Sequence, residues 1–183
     1  SGALSLQHPH PIKLAPVLPM LALVMQTNHA QSLELLEPQA TLNTLDIHRT
    51  LSGQLALKAS ISDLQWQQTT RVPGMAGLST ELNWFNGDGR LSLKGKSGQL
   101  AINKLLPDNI EYQRFFADLY IQTSEQNISV TSENIWFKSK LISLRPNIFY
   151  RSIDNHLAFS SVIEAIDITK LPQLYPTKFM GVN

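Results

Sequence analysis

Apolar residues recur at every second position in short runs along most of the chain, from Thr41 to Ile168. Successive side chains of a β-strand point to opposite faces, so this alternation predicts strands that each have one apolar and one polar face. Polar turns separate the runs and no helical pattern lies between them, which favours an antiparallel meander over alternating strands and helices. A sheet of this kind must cover its apolar face with another sheet, with helices or with a ligand.

The clearest single element is a hairpin centred on Asn86-Gly87. Apolar residues occupy alternate positions on both sides of this pair: Leu78, Leu82 and Trp84 before it, Leu91 and Leu93 after it. Asn and Gly tolerate the positive φ angles that a two-residue hairpin turn requires. This segment is therefore predicted to be two paired strands.

Two breaks in the alternation predict local irregularities. The parity changes between Ile61 and Leu64, which indicates a β-bulge or a strand that crosses between two environments. Gly95-Lys96-Ser97-Gly98 predicts a second turn. Its first three residues are similar to the end of a phosphate-binding loop, but that motif also requires an earlier glycine, where this chain has Arg90, and a following helix, where this chain has a strand pattern.

Helical spacing is found near the N-terminus, where the apolar residues of 17–36 fall three and four positions apart until Pro38. Residues 1–13 are predicted to be an irregular arm. We interpret its first two residues, Ser1-Gly2, as the remnant of a cleaved tag. Residues 14–183 are predicted to be one β-rich segment of a larger protein. The predicted fold is mainly β with a small helical part: an extended, curled antiparallel sheet with a groove, on which short helices near residues 17–36 pack.

Charge and cysteine content exclude several function classes. The chain has 15 Lys and Arg against 14 Asp and Glu, and charged residues make up 16%, compared with about 25% in an ordinary soluble domain. A nucleic-acid-binding protein needs a basic face, so near-zero net charge argues against that class. The absence of cysteine excludes a disulfide framework, a thiol nucleophile and a cysteine metal site.

The sequence predicts no catalytic residue, no metal site and no cofactor. His8 and His10 lack a third ligand nearby. Asp46 and His48 share one face of a strand, but no nucleophile elbow accompanies them, so we interpret them as a solvated strand face. We therefore expect that the protein is not an enzyme.

Two other functions remain open at this point. In the first, the sheet closes as a β-sandwich and acts as a scaffold or binding module in the assembly of an envelope. In the second, the chain is a carbohydrate-active β protein, which would require two carboxylates to converge in a cleft beside Trp66 or Trp84. An open apolar trough would favour a ligand-binding sheet over both alternatives.

From Leu55 onward the chain resembles one particular family in the order and spacing of several short motifs. These motifs are Leu64-Gln65-Trp66, Val72-Pro73-Gly74, Ala76-Gly77-Leu78-Ser79, Gly89-Arg90-Leu91-Ser92-Leu93, Leu171-Pro172 and Tyr175-Pro176-Thr177-Lys178-Phe179-Met180-Gly181. The family is the YhdP-type AsmA-like proteins of Gram-negative envelopes, and the resemblance covers residues 17–183. Upstream, Leu36-Glu37-Pro38-Gln39 followed by Leu42 and Leu45 is similar to the family's junction between a helix and a strand, where the family has Pro-x-Gly and this chain has Ala40 in place of the Gly. Tyr175 replaces the usual Leu of the last motif.

This resemblance implies a very large protein that an N-terminal helix anchors in the inner membrane and that extends through the periplasm. It implies a body made of a long, curled antiparallel sheet whose apolar groove carries phospholipid toward the outer membrane. The chain is then expected to be one internal, periplasmic segment, with phospholipid as its partner and envelope protein partners unknown. The family brings no catalytic residues with it.

The alternation and the resemblance lead to one hypothesis about a site. Acyl chains can cover an apolar sheet face, and burial stabilises them by about 25 cal/mol per Å² without any charged contact. The residues that we expect to line the groove are Leu57, Ile61, Leu82, Trp84, Leu91, Leu93, Leu119, Ile121, Ile128 and Val130.

Overall fold

Strands make up nearly all of the described part of the protein. The computed structural model describes residues 2–7, 37–69, 72–102, 109–124, 127–167 and 169. Its elements are β1 (Gly2–Gln7), β2 (Gln39–Arg49), β3 (Leu55–Trp66), β4 (Gly74–Phe85), β5 (Asp88–Gly95), β6 (Gly98–Ala101), β7 (Ile110–Thr123), β8 (Ile128–Ser139), β9 (Ile142–Arg151) and β10 (His156–Ile166). The predicted mainly-β, antiparallel fold class is confirmed.

All ten strands belong to one antiparallel sheet in the order β1-β2-β3-β4-β5-β7-β8-β9-β10, with the short β6 between β4 and β7. Apart from β5 and β6, which do not pair with each other, each strand pairs with its neighbours along the chain, as in a meander. Within the described residues β1 and β10 are the two ends of this order, and the strands form a single sheet rather than the two sheets of a β-sandwich.

The Asn86-Gly87 hairpin is confirmed. The φ angles are 46° at Asn86 and 98° at Gly87, so both central residues are left-handed, as a two-residue hairpin turn requires. The bulge between Ile61 and Leu64 is also confirmed, because the register of β3 against β4 shifts there and Asp63 has a φ of 54°.

The turn that we predicted at Gly95-Lys96-Ser97-Gly98 does not reverse the chain. β5 and β6 both pair with β4 and with β7, so they follow one another in line and occupy a single position in the sheet. Opposite the break lies Gly77, with a φ of +83°. A Cβ on Gly77 would lie 2.5 Å from the carbonyl oxygen of Ser97. The main chain of β4 can therefore approach the segment between β5 and β6 this closely only because residue 77 is glycine.

The irregular arm predicted for residues 1–13 is wrong over Gly2–Gln7. These six residues form β1, which pairs along β2 from Gly2 opposite Arg49 to Gln7 opposite Thr44. The pairing satisfies main-chain groups of β2 that would otherwise form an open edge. The remainder of the arm, with His8 and His10, and the helices predicted near residues 17–36 lie outside the described residues.

Buried side chains form two clusters along the sheet. One is centred on Leu57 and Trp84 and lies on β2, β3 and β4. The other is centred on Leu78, Leu93 and Phe137 and extends across β4 to β8. The alternating residues of the sequence pattern therefore supply the core. Within the described residues no helix has the length and apolar character needed to cross a bilayer.

Tyr112 closes the seam where β4, β6 and β7 meet. Its side chain is 2% exposed and lies against Gly95 and Gly98, where an added Cβ would come within 2.6 Å and 2.4 Å of the phenolic oxygen. The hydroxyl donates a hydrogen bond of 2.7 Å to the carbonyl oxygen of Ala76. Burial raises the pKa of Tyr112 to about 12.

Candidate functional site

Strand pairing places all ten predicted groove residues on the same face of the sheet. Residues directly opposite each other in an antiparallel pair point to one face. The register connects β3 to β8 in this way: Leu57 is opposite Trp84, Leu82 opposite Leu91, Leu91 opposite Leu119, and Ile121 opposite Val130. We call this side the apolar face; its predicted residues are Leu57, Ile61, Leu82, Trp84, Leu91, Leu93, Leu119, Ile121, Ile128 and Val130.

These ten residues differ in how far the protein itself covers them. Leu57, Trp84 and Leu93 are buried, so they belong to the packed core. The other seven are half-buried. Contact with a ligand is therefore open to the half-buried residues, whereas the three buried ones support the sheet beneath them.

The apolar face continues onto β10, where sequence reasoning named no site residue. Leu157 is opposite Tyr150, Phe159 is opposite Ile148 and Ile163 is opposite Leu144. Tyr150 is in turn opposite Val130, which fixes the face. Leu157, Phe159 and Ile163 are 65%, 64% and 58% exposed. The alternation of Leu157 with Phe159 was the signal that could have identified them.

The opposite side, which we call the polar face, carries a linked set of charged and hydroxyl groups. Asp118 is 6% exposed and accepts hydrogen bonds from the Ser92 hydroxyl and, at 2.8 Å, from the Arg90 guanidinium. Burial raises the pKa of the Asp118 carboxyl, but the hydrogen bonds from Ser92 and Arg90 outweigh it and hold that pKa below its ordinary value.

A second polar cluster ties the last strand to the sheet. On β10, the carboxylate of Glu164 accepts hydrogen bonds from Arg145, from Ser143 at 2.9 Å and from the indole of Trp136 at 3.2 Å. We call these four side chains the Glu164 clasp. The hydrogen bonds from Arg145 and then Ser143 hold the pKa of the Glu164 carboxyl below its ordinary value.

The sequence predicted that each strand has one polar face, and the structure also places large aromatic residues on that side of the sheet. Tyr120 is opposite Arg90, Phe85 is opposite Ala56, and Trp136 is opposite Phe116. Phe85 and Tyr120 are 50% and 51% exposed. Sequence parity alone does not separate these residues from core aromatics, because bulges change which face a position occupies.

The two described cavities beside tryptophan residues do not bring carboxylates together in pairs. The cavity of about 290 Å³ beside Trp66 contains one carboxylate, Glu37. The cavity of about 460 Å³ beside Trp84 contains one, Asp88. In the parts of the chain that are described, no group of three or more metal-ligating side chains occurs. These cavities therefore lack the paired carboxylates that glycoside hydrolysis requires.

Comparison with known proteins gives one match. A family model described as YhdP protein matches residues 2–183. Neither a curated protein nor a solved structure matches the chain significantly. The matched region includes every strand of the sheet.

Proposed function

The chain belongs to the YhdP family of AsmA-like envelope proteins of Gram-negative bacteria, and from this premise we propose that it binds the acyl chains of phospholipids along its apolar face. The observation that carries the proposal is the continuity of that face. Leu57 on β3, Leu119 on β7, Val130 on β8 and Phe159 on β10 all belong to it. We propose no catalytic role.

Acyl chains suit this face because the hydrophobic effect is not directional. Each CH₂ group that leaves water contributes about 0.8 kcal/mol, wherever along the face it is buried. Half-buried side chains such as Ile121, Ile128 and Val130 offer many similar contacts instead of one deep pocket. A lipid bound by many equal contacts can move along the face without a large barrier.

The end of the apolar face on β10 is its most exposed part and is accessible to such a ligand. Leu157, Phe159 and Ile163 are exposed apolar side chains on this face of β10, where Ser161 separates Phe159 from Ile163. Clusters of exposed apolar side chains mark interaction sites in soluble proteins. We infer that the segment acts in the periplasm, as part of a protein anchored in the inner membrane, and moves phospholipid between the inner and outer membranes.

Site-specific photo-crosslinking tests which face touches lipid. A diazirine-bearing aliphatic amino acid is introduced at Ile121 or at Gln122 in the full-length protein in cells, and adducts are identified by mass spectrometry. The two positions are adjacent on β7 and point to opposite faces, since Ile121 is opposite Val130 and Gln122 is opposite Ser129. Phospholipid adducts are expected at Ile121 and not at Gln122.

A second pair of probe positions, on β10, compares two apolar residues, so the result does not depend on replacing a polar residue at one position and an apolar residue at the other. Phe159 and Val162 are both apolar and are 64% and 65% exposed, but Phe159 lies on the apolar face and Val162, opposite Arg145, on the polar face. Adducts are expected at Phe159 alone. Equal labelling at Phe159 and Val162, or labelling at Gln122 but not at Ile121, would show that the apolar face is not the lipid path.

A further inference from the structure

The cavity described above beside Trp84 opens on the polar face as a shallow depression, which the proposed lipid path does not use. It has a volume of about 460 Å³ and lies across β2, β3, β4, β5 and β7. Two rows of directly paired residues surround it. One row consists of Lys58, Asn83, Arg90 and Tyr120, and the other of His48, Ala56, Phe85 and Asp88. Ala56 has the smallest of these side chains, so the volume between its larger neighbours in the row stays unfilled and forms the depression.

Two aromatic side chains stand at the depression. Phe85 and Tyr120 are half exposed, on a face whose other members are mainly polar. They lie on strands two positions apart, which corresponds to about 10 Å across the sheet. Exposed aromatic rings combine a large apolar surface with little side-chain entropy to lose, so they serve as stacking platforms for ligands with flat apolar surfaces.

The hydrogen-bonding groups at the depression are partly held in place before any ligand arrives. The Arg90 guanidinium is fixed by Asp118 at 2.8 Å and lies 5.6 Å from the centroid of the Tyr120 ring. Within the described residues, the side chains of Lys58 and Asn83 make no hydrogen bond, so their donors are available. Groups that are already oriented bind with a smaller entropic cost.

The charges around the depression favour an uncharged ligand. Arg90 is neutralised by Asp118, and Lys58 and Asp88 contribute one charge of each sign. A phosphate or carboxylate ligand would meet both signs of charge, whereas a ligand rich in hydroxyl groups can use donors and acceptors alike. Aromatic platforms beside a few convergent polar groups are the usual composition of a small-ligand site.

We propose that this depression binds a neutral oligosaccharide, with sugar rings stacked on Phe85 and Tyr120 and hydroxyl groups bonded to Asn83, Asp88 and Arg90. The site lies on the face opposite the proposed lipid path, so the two functions are independent. The protein then binds a glycan with its polar face while its apolar face remains available.

The test uses a soluble N-acetylglucosamine oligosaccharide and the purified chain in isothermal titration calorimetry. Tyr120→Ala and Phe85→Ala are each expected to raise Kd about five- to tenfold, because each removes one stacking surface. Val162→Ala removes an exposed apolar side chain from the same face, on β10 and away from the depression, and should leave Kd unchanged. The lipid adducts at Ile121 should persist in both depression variants.

Amide chemical shifts of the wild-type chain give a readout that does not depend on the folding of the variants. Titration with the oligosaccharide should shift resonances of residues 56–58, 83–90 and 120, and leave β10 unaffected. The proposal is overturned by an absence of saturable binding, by shifts confined to other strands, or by binding to phosphatidylglycerol vesicles through these residues without binding to the glycan.

Discussion

The indole ring of Trp84 packs directly on Gly89, its antiparallel partner next to the Asn86-Gly87 turn. A Cβ on Gly89 would lie 2.4 Å from Cε3 of Trp84. The bare glycine therefore creates the space in which the indole is 4% exposed, and Ile121, which is opposite Gly89 on the other side, packs against the same cluster.

Gly89→Ala should destabilise the sheet because the new methyl group overlaps the Trp84 ring. Overpacking of this kind costs about 1–3 kcal/mol, and urea denaturation measures it as a lower midpoint. Gly2→Ala is the matched control, since nothing lies within 4 Å of a Cβ at Gly2. An unchanged midpoint for Gly89→Ala would contradict the close contact of Trp84 with Gly89.

Thr80→Val should stabilise the protein. Thr80 lies on the apolar face opposite Ile61 and Leu93, is 4% exposed, and its hydroxyl has no hydrogen-bond partner among the described residues. A buried hydroxyl without a partner costs about 1–3 kcal/mol, and valine has the same shape without that group. Thermal or urea unfolding should show the gain.

Thr50→Val, in contrast to Thr80→Val, is expected to lower the stability of the protein. The Thr50 hydroxyl accepts a hydrogen bond of 3.0 Å from the main-chain N–H of Gln54, in the turn between β2 and β3. Its loss should lower stability by about 1 kcal/mol. If both threonine variants moved in the same direction, the difference in hydrogen bonding between the two hydroxyls would not be the cause.

Tyr112 should make stability sensitive to alkaline pH. Its pKa is raised to about 12 by burial, while a tyrosine in an unfolded chain titrates near 10. The folded state holds the phenolic proton more tightly, so this contribution is complete below pH ~10 and is lost as the pH rises from about 10 through 12. Tyr112→Phe removes the contribution.

The comparison with Tyr112→Phe isolates this single group. Near neutral pH the variant should be less stable by about 1 kcal/mol, because the hydrogen bond to the Ala76 carbonyl is lost. Urea unfolding above pH ~10 should show the wild type losing stability faster than the variant. Parallel loss in the two proteins would mean that Tyr112 does not titrate differently in the folded state.

Glu164→Gln should loosen β10 without unfolding the sheet. Every side chain of β10 is exposed, so main-chain pairing with β9 and the Glu164 clasp hold this strand. The neutral amide weakens the bonds from Arg145 and Ser143, and amide hydrogen exchange should become faster on β10. Ser160→Ala, at an exposed position on the same strand, should leave exchange unchanged, and equal exchange in the two variants would exclude a role for the clasp.

The hairpin at Asn86-Gly87 and the bulge near Asp63 were predictable because local chemistry determines them. Positive φ favours Asn and Gly, and a change of parity shows where an extra residue enters a strand. The turn between β8 and β9 was missed, since Lys140-Leu141 has no such signal. There the Ser139 hydroxyl accepts hydrogen bonds from the N–H groups of Leu141 and Ile142, which a sequence pattern does not reveal.

The candidate site was predictable in part for the same reason. Side chains alternate with a period of two, so positions such as Leu91 and Leu119 could be assigned to one face before their pairing was known. Exposure was not predictable, because it depends on neighbouring strands: Leu57 is 2% exposed and Leu157 is 65% exposed. The depression beside Phe85 and Tyr120 arises from the register of strands that are distant in sequence, and register follows only from the fold.

The meander order of the strands allows the length of this sheet to change by whole hairpins. Outside the β5–β6 position, each strand pairs with its neighbours along the chain, so one hairpin can be gained or lost without rearranging the others. Each added hairpin lengthens the sheet by about 10 Å, twice the strand spacing. The side chains of an added hairpin alternate between the two sides of the sheet, so they lengthen the apolar face and the polar face together. The distance that such a surface covers can therefore change in small, equal steps during evolution while its cross-section stays the same.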